Sequence, residues 1–148
     1  MRVFAAAGAA YLLAVLWFDL MFDVQVRKHS DIVPPEILDS IASYYRRVTI
    51  GATPMNRLVS VVMAVVLCAL VAEIVENENP PWLAWGSLAC AASAIGLAAV
   101  RTVRNAMKLG RGSGTAEERS QLARTIYRDH LFCLAAIGLL IGLQLAAR

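Results

Sequence analysis

Two aspartates and a histidine have the residue types and the spacing for proton-transfer chemistry. Asp19 and Asp23 lie four residues apart at the end of one apolar stretch, and His130 immediately precedes another. A separation of four residues puts both carboxylates on the same face of a helix. Carboxylates and imidazoles act as general acids and bases near neutral pH, so we take Asp19 and His130 as candidate catalytic residues.

The same residues are poor candidates for metal ligands. Di-iron helical bundles use several glutamates and two Glu-x-x-His motifs, and the sequence has no Glu-x-x-His. Neighbouring arginines would also repel a cation. His29 and His130 are the only histidines, and neither lies in the middle of an apolar stretch, which argues against haem. We therefore predict neither a metal nor a cofactor.

Further polar residues are expected at the same helix ends as the candidate acid–base pair. Ligand- or anion-binding roles are predicted for Arg57, Arg101, Arg104, Tyr127, Asp23 and Asp129. Two interpretations stay open. These groups could pair across helices, with Arg57 as partner of Asp19 or Asp23, and so lock the helix ends together. Alternatively, they could line a polar pocket that holds a carboxylate or a phosphate.

Apolar composition identifies the elements that must position these residues. Apolar residues make up 59% of the chain and charged residues 17%, whereas a typical soluble domain has about 25% charged residues. A helix needs roughly 20 apolar residues to cross a bilayer. Four windows qualify, at about 3–22, 58–75, 82–100 and 131–147. They predict a single four-span membrane domain over 1–148, with the first span retained because it exceeds a typical signal-peptide core.

The distribution of basic residues predicts the orientation of the spans. Of the fourteen Lys and Arg residues, twelve lie in segments 24–57 and 101–128. By the positive-inside rule the loops 23–57 and 101–130 are cytoplasmic and both termini external, as in a bacterial inner-membrane protein. Anionic lipid headgroups are the expected partners of such a surface. Nothing in the sequence supports nucleic-acid binding.

Both basic segments carry helical patterns of their own. Apolar residues recur every three or four positions over 34–48, which predicts an amphipathic helix lying at the membrane surface. Its predicted lipid-interface residues are Tyr44, Tyr45, Arg46 and Arg47. The third helix is expected to end at Gly110, and Thr115 with Glu118 forms a capping-box pattern that begins the fourth.

These elements predict an all-α, up-and-down four-helix bundle whose third and fourth helices extend into the cytoplasm. Small residues mark possible helix contacts, at Gly138 and Gly142 on the fourth helix and at Gly86, Cys90 and Ser93 on the third. They could join helices within one chain, copies of a homo-oligomer, or this chain and a partner membrane protein. Glu73, near the outer end of the second span, is expected to reach the surface beside Glu76.

Residues Thr102-Val-Arg-Asn105 and His130 resemble a pattern in the anthrone-oxygenase-like membrane proteins. The resemblance covers a handful of residues and implies only that an enzyme belongs among the alternatives. The favoured expectation is a non-enzymatic accessory or lipid- and anion-binding membrane protein with an Arg-rich site at its cytoplasmic mouth. The alternative is a small membrane enzyme, oxygenase- or isomerase-like, acting on a lipophilic anionic or phenolic substrate with Asp19 and His130 as the acid–base pair.

Overall fold

The computed structural model describes residues 1–29 and 31–146, which form helices and turns without any strand. The helices are α1 (Arg2–Asp23), α2 (Pro35–Tyr45), α3 (Thr53–Val75), α4 (Pro81–Leu97), α5 (Val103–Gly110) and α6 (Ala116–Ala146). Four helical stretches of this described part are long and apolar enough to cross a membrane, namely Arg2–Lys28, Pro54–Val75, Pro81–Gly110 and Ala116–Ala146. This confirms the predicted all-helical fold for the described residues, with four helices long and apolar enough to span a membrane.

Short irregular helical segments extend three of these helices. A 3-10 segment, Val24–Lys28, follows α1, and a π-helical segment, Arg46–Gly51, follows α2. A second π segment, Ala98–Thr102, joins α4 to α5 without a break. Thr115 and Glu118 form the predicted capping box, since each side chain bonds the backbone N–H of the other, at 3.3 and 2.9 Å.

The four long helices pack around a core built largely from small residues. α1 contacts α3 and α6, and α4 contacts the same two helices. Alanines on α1, α3 and α4 meet Ile137 and Leu140 of α6 in this core. The tightest approach is at Gly8, where an added Cβ would lie 2.5 Å from Val66 Cγ2. Since lipid supplies little hydrophobic drive for helix association, such close packing holds the helices together.

The amphipathic helix α2 packs on protein, which corrects the expectation that its apolar stripe faces lipid. Leu38 and Ile41 are buried, and they share a second core with α5, the start of α6 and the segment after α1. The physical reason is that α5 and the first half of α6 present an apolar surface that this stripe fits. Gly110 permits the close contact, since a Cβ there would lie 2.9 Å from the Arg46 backbone nitrogen.

Of the glycines predicted as helix contacts, Gly138 and Gly142 do not pack within the described part of the chain, whereas Gly86 faces Leu143. A Cβ built on Gly138 or Gly142 would have no neighbour within 4 Å, and one on Gly86 would meet only Leu143, at 3.7 Å. Both Gly138 and Gly142 are exposed. The within-chain interpretation therefore does not hold for these two glycines, while a contact between copies or with another membrane protein stays a prediction.

Candidate functional site

A buried hydrogen-bonded network joins α1, α2 and α6 at the end of the long helices next to segments 24–57 and 101–128, which we call the basic end. Asp23, in the last turn of α1, is fully buried. One carboxylate oxygen accepts from the Tyr45 hydroxyl at 2.7 Å, and the other accepts from His130 Nδ1, also at 2.7 Å. Asp23 thus fixes the orientation of a phenol and an imidazole from two other helices.

Asp19 lies one turn earlier and reaches the opposite edge of the same imidazole. Its Oδ1 accepts from the Tyr44 hydroxyl at 2.6 Å, and its Oδ2 lies 3.8 Å from His130 Nε2. The second distance is too long for a hydrogen bond. Tyr44 is held by stacking on Phe22, with ring centroids 4.0 Å apart. His130 therefore lies between two carboxylates, closely bonded to one and near the other.

Both phenols of the network remain hydrogen-bond donors. Burial raises the pKa of the Tyr44 phenol, and the Asp19 carboxylate raises it further. Burial likewise raises the pKa of the Tyr45 phenol, with the Asp23 carboxylate as the next cause. A carboxylate disfavours a second negative charge beside it. Each tyrosine is consequently kept protonated, in the form that stabilises its aspartate.

A separate ion pair lies beside this network. Asp129 is buried, and one of its oxygens accepts from Arg101 Nε at 3.0 Å and from the Thr102 hydroxyl at 3.1 Å. Arg101 Nη2 also bonds the other oxygen, so the pairing is bidentate. The π segment Ala98–Thr102 places Arg101 and Thr102 together on the side that meets α6. This arrangement neutralises Asp129 within the chain.

The structure brings together some of the predicted site residues and not others. Asp19, Asp23 and His130 meet in one network, and Asp129 pairs with Arg101. Arg57 and Arg104 are exposed and make no hydrogen bond or ion pair with described residues, and the expected pairing of Arg57 with Asp19 or Asp23 is not found. The tyrosines and the histidine occupy those carboxylates instead. Tyr127 is half-buried against the second core.

Two of the four predicted lipid-interface residues have other roles. Tyr45 is 2% exposed and bonds Asp23, and Tyr44 is half-buried and bonds Asp19, so their hydroxyls are engaged within the protein, and a location at the headgroup level stays a prediction. Arg46 donates from Nε to the Gly110 carbonyl oxygen at 2.9 Å, whereas Arg47 is exposed. One sequence feature could have indicated these bonds. Two adjacent tyrosines end one predicted helix, and two aspartates end another at the same expected depth in the membrane.

A second buried polar cluster, at the other end of the long helices, was not anticipated. Glu73 is fully buried instead of reaching the surface, and its Oε2 accepts from Asn79 Nδ2 at 2.9 Å and Gln144 Nε2 at 3.2 Å. Gln144 also donates to the Ser87 hydroxyl at 3.1 Å, and Arg2 donates to Asn79 Oδ1 at 2.5 Å. The expectation that Glu73 extends outward is wrong because amide donors from the loop after α3 and from α6 bond its carboxylate inside the protein.

The geometry of the basic end does not suit a metal ion. His130 presents opposite ring nitrogens to Asp19 and Asp23, so the three side chains cannot converge on one point. Among residues 1–29 and 31–146, no group of three or more His, Cys, Asp and Glu residues has metal-binding geometry.

No protein-family model, curated protein or solved structure matches the chain.

Proposed function

We propose that the chain is a non-enzymatic membrane protein that binds anionic lipid headgroups at its basic end. In this proposal the four spans form an up-and-down bundle in a bacterial inner membrane. The basic end is cytoplasmic, with α5 and the start of α6 extending beyond the bilayer, and both termini are external. The exposed face at Gly138 and Gly142 would meet a second copy or an accessory partner.

The proposal is supported by a difference in burial and bonding between the acidic and basic side chains at this end. Asp23 and Asp129 are buried and Asp19 is largely buried, and each is bonded within the chain. Many basic side chains, in contrast, are exposed without a hydrogen bond or ion pair to described residues. They are Arg27, Lys28, Arg47, Arg57, Arg104, Lys108, Arg111 and Arg128.

The net charge of the exposed side chains at this end is therefore positive, because the exposed acids are fewer than the exposed bases. Those acids are Asp31, Glu36, Asp39, Glu117 and Glu118, and Asp39 already pairs with Arg119. Each basic residue near a membrane surface attracts anionic lipid by about 1 kcal/mol. The basic end thus fits phosphate-bearing headgroups better than a zwitterionic surface.

Neutralising three exposed arginines tests the proposal. The triple change Arg57→Gln, Arg104→Gln and Arg111→Gln should weaken the preference for phosphatidylglycerol over phosphatidylcholine by up to about 100-fold at low ionic strength. The measurement is the ratio of the two lipids retained by the purified protein from mixed micelles. The preference of the unchanged protein should also fall as salt is raised, because exposed charges are screened.

The matched control neutralises three exposed acids of the same end, as Asp31→Asn, Glu36→Gln and Glu117→Gln. This change should increase the preference for phosphatidylglycerol, since it raises the positive charge without touching an arginine. An unchanged protein that retains both lipids equally would contradict the proposal. A preference unaffected by either set of substitutions would place headgroup selection elsewhere.

A second candidate function, acid–base catalysis, is favoured by one specific observation. Asp23 bonds His130 Nδ1 at 2.7 Å and so fixes the imidazole, while Nε2 points toward Asp19. Nε2 and the Asp19 carboxylate could then exchange a proton with a lipophilic anionic or phenolic substrate. The Asp19 side chain is 16% exposed, which leaves it the more accessible of the two aspartates.

The change Asp19→Asn distinguishes this second candidate, because an asparagine oxygen can still accept from Tyr44. Lipid extracts of cells producing the unchanged chain, the Asp19→Asn variant and an Asp31→Asn control would be compared by mass spectrometry. Catalysis predicts a product that disappears only with Asp19→Asn, at an unchanged melting temperature. Identical extracts from all three strains would contradict a catalytic role.

A further inference from the structure

A groove runs along the surface between α4 and α6 and ends at the basic end. It is a shallow depression that is widely open to its surroundings, with a volume of about 650 Å³. Its walls are mostly apolar, formed by Gly96, Leu97 and Val100 with Ser93 on one side and by Phe132 on the other. Two arginines, Arg101 and Arg128, lie at its polar end.

We infer that this groove binds one anionic phospholipid, with an acyl chain along the apolar walls and the phosphate between Arg101 and Arg128. This inference rests on the proposed function and names a specific site for it. Val100 and Phe132 are 66% and 49% exposed, so the groove opens outward along a membrane-spanning helix pair. A lipid matches both parts of the groove, because it carries a hydrocarbon chain and a negative charge at one end.

The charges around the polar end favour an anion. The one acid that lines it, Asp129, is 1% exposed and has both oxygens bonded by Arg101 and Thr102. A guanidinium has five N–H donors, so Arg101 keeps donors for a phosphate after pairing with Asp129. The Arg101 side chain is 54% exposed, and Arg128 is exposed without a hydrogen bond or ion pair to described residues.

Gly96 supplies the space for the chain. A Cβ there would have no neighbour within 4 Å, whereas a Cβ at Gly8 or Gly110 would collide with another helix. Close packing among described residues thus accounts for Gly8 and Gly110 but not for Gly96. A side chain at position 96 would begin in open space at the groove, since its Cβ would meet no protein atom within 4 Å.

The experiment compares Gly96→Leu with Ala14→Leu, a control at an exposed small residue of α1, a helix that does not line the groove. Dioleoyl phosphatidylglycerol and dioleoyl phosphatidylcholine are titrated separately into the detergent-solubilised full-length protein, and bound lipid is counted by native mass spectrometry. We expect one tightly retained phosphatidylglycerol in the unchanged protein. Gly96→Leu should weaken its binding at least tenfold, and Ala14→Leu should leave it unchanged.

Arg128→Gln should also weaken this binding, whereas the control Arg128→Lys keeps the positive charge at this position and should retain more of it. Equal retention by Gly96→Leu and the unchanged protein would overturn the groove site while leaving a general headgroup preference, and hence the proposed function, intact. Equal retention of the two lipids by the unchanged protein would contradict both. A Gly96→Leu protein that changes oligomeric state while keeping its lipid would indicate a second copy in the groove and overturn the inference.

Discussion

Replacing Asp23 with alanine is expected to lower the free energy of unfolding by about 3–5 kcal/mol, the cost of removing one partner from a buried ionic interaction. Asp23 is fully buried and accepts from Tyr45 and His130. Without it, a phenol and an imidazole lose their acceptor inside the protein. Three helices are joined at this point, so packing alone cannot restore the lost contacts. SDS-induced unfolding in mixed micelles measures the change.

Two further variants test the physical reason for this loss. Asp23→Asn keeps one acceptor oxygen and the side-chain volume, so it should cost less than Asp23→Ala. Asp31→Ala removes an exposed aspartate near the same end and should leave stability unchanged. If Asp23→Ala cost under about 1 kcal/mol, the net value of an ordinary hydrogen bond, the network would not be what holds α1, α2 and α6 together.

The spans and several helix ends could be predicted from the sequence because local chemistry determines them. Bilayer thickness requires about 20 apolar residues per helix, and an uninterrupted apolar run of that length is typical of a membrane span. The capping box at Thr115 and Glu118 is equally local, since both partners lie within one helical turn. Gly110 ends α5 as expected, where the chain turns toward α6.

The partners of the polar residues could not be predicted, because they depend on contacts distant in sequence. An amphipathic stripe such as that of α2 has the same periodicity whether it meets lipid or protein. Tyr45 reaches Asp23 because α2 packs on α5 and α6. Charge counting identified the basic end but not its pairs. Arg101 and Arg57 look alike in sequence, and only Arg101 bonds an aspartate.

Glu73 and Glu76 show that two acids close together in sequence can differ completely in burial. Glu73 and Glu76 lie three residues apart at the end of one span, and hydropathy treats them alike. Glu73 is enclosed because Asn79 folds back over the end of α3 and Gln144 approaches from α6. Glu76 follows the last residue of α3 and is exposed.

Replacing Glu73 with leucine is therefore expected to destabilise the protein by about 2–4 kcal/mol, since a buried donor left without its acceptor costs about 1–3 kcal/mol. Both Asn79 and Gln144 donate to the same glutamate oxygen and would lose it together. Glu76→Leu is the control at the exposed position and should leave stability unchanged. SDS-induced unfolding again provides the measurement.

The variant Glu73→Gln separates hydrogen bonding from charge at this cluster. Glu73 Oε1 and Gln144 Oε1 are both buried, and neither accepts a hydrogen bond from described residues. A glutamine at position 73 keeps one acceptor oxygen and adds an N–H₂ group that can donate a hydrogen bond to Gln144 Oε1. Its stability should lie within about 1 kcal/mol of the unchanged protein, the net value of one hydrogen bond. A loss as large as that of Glu73→Leu would mean that the negative charge itself holds the cluster, through the nearby guanidinium of Arg2.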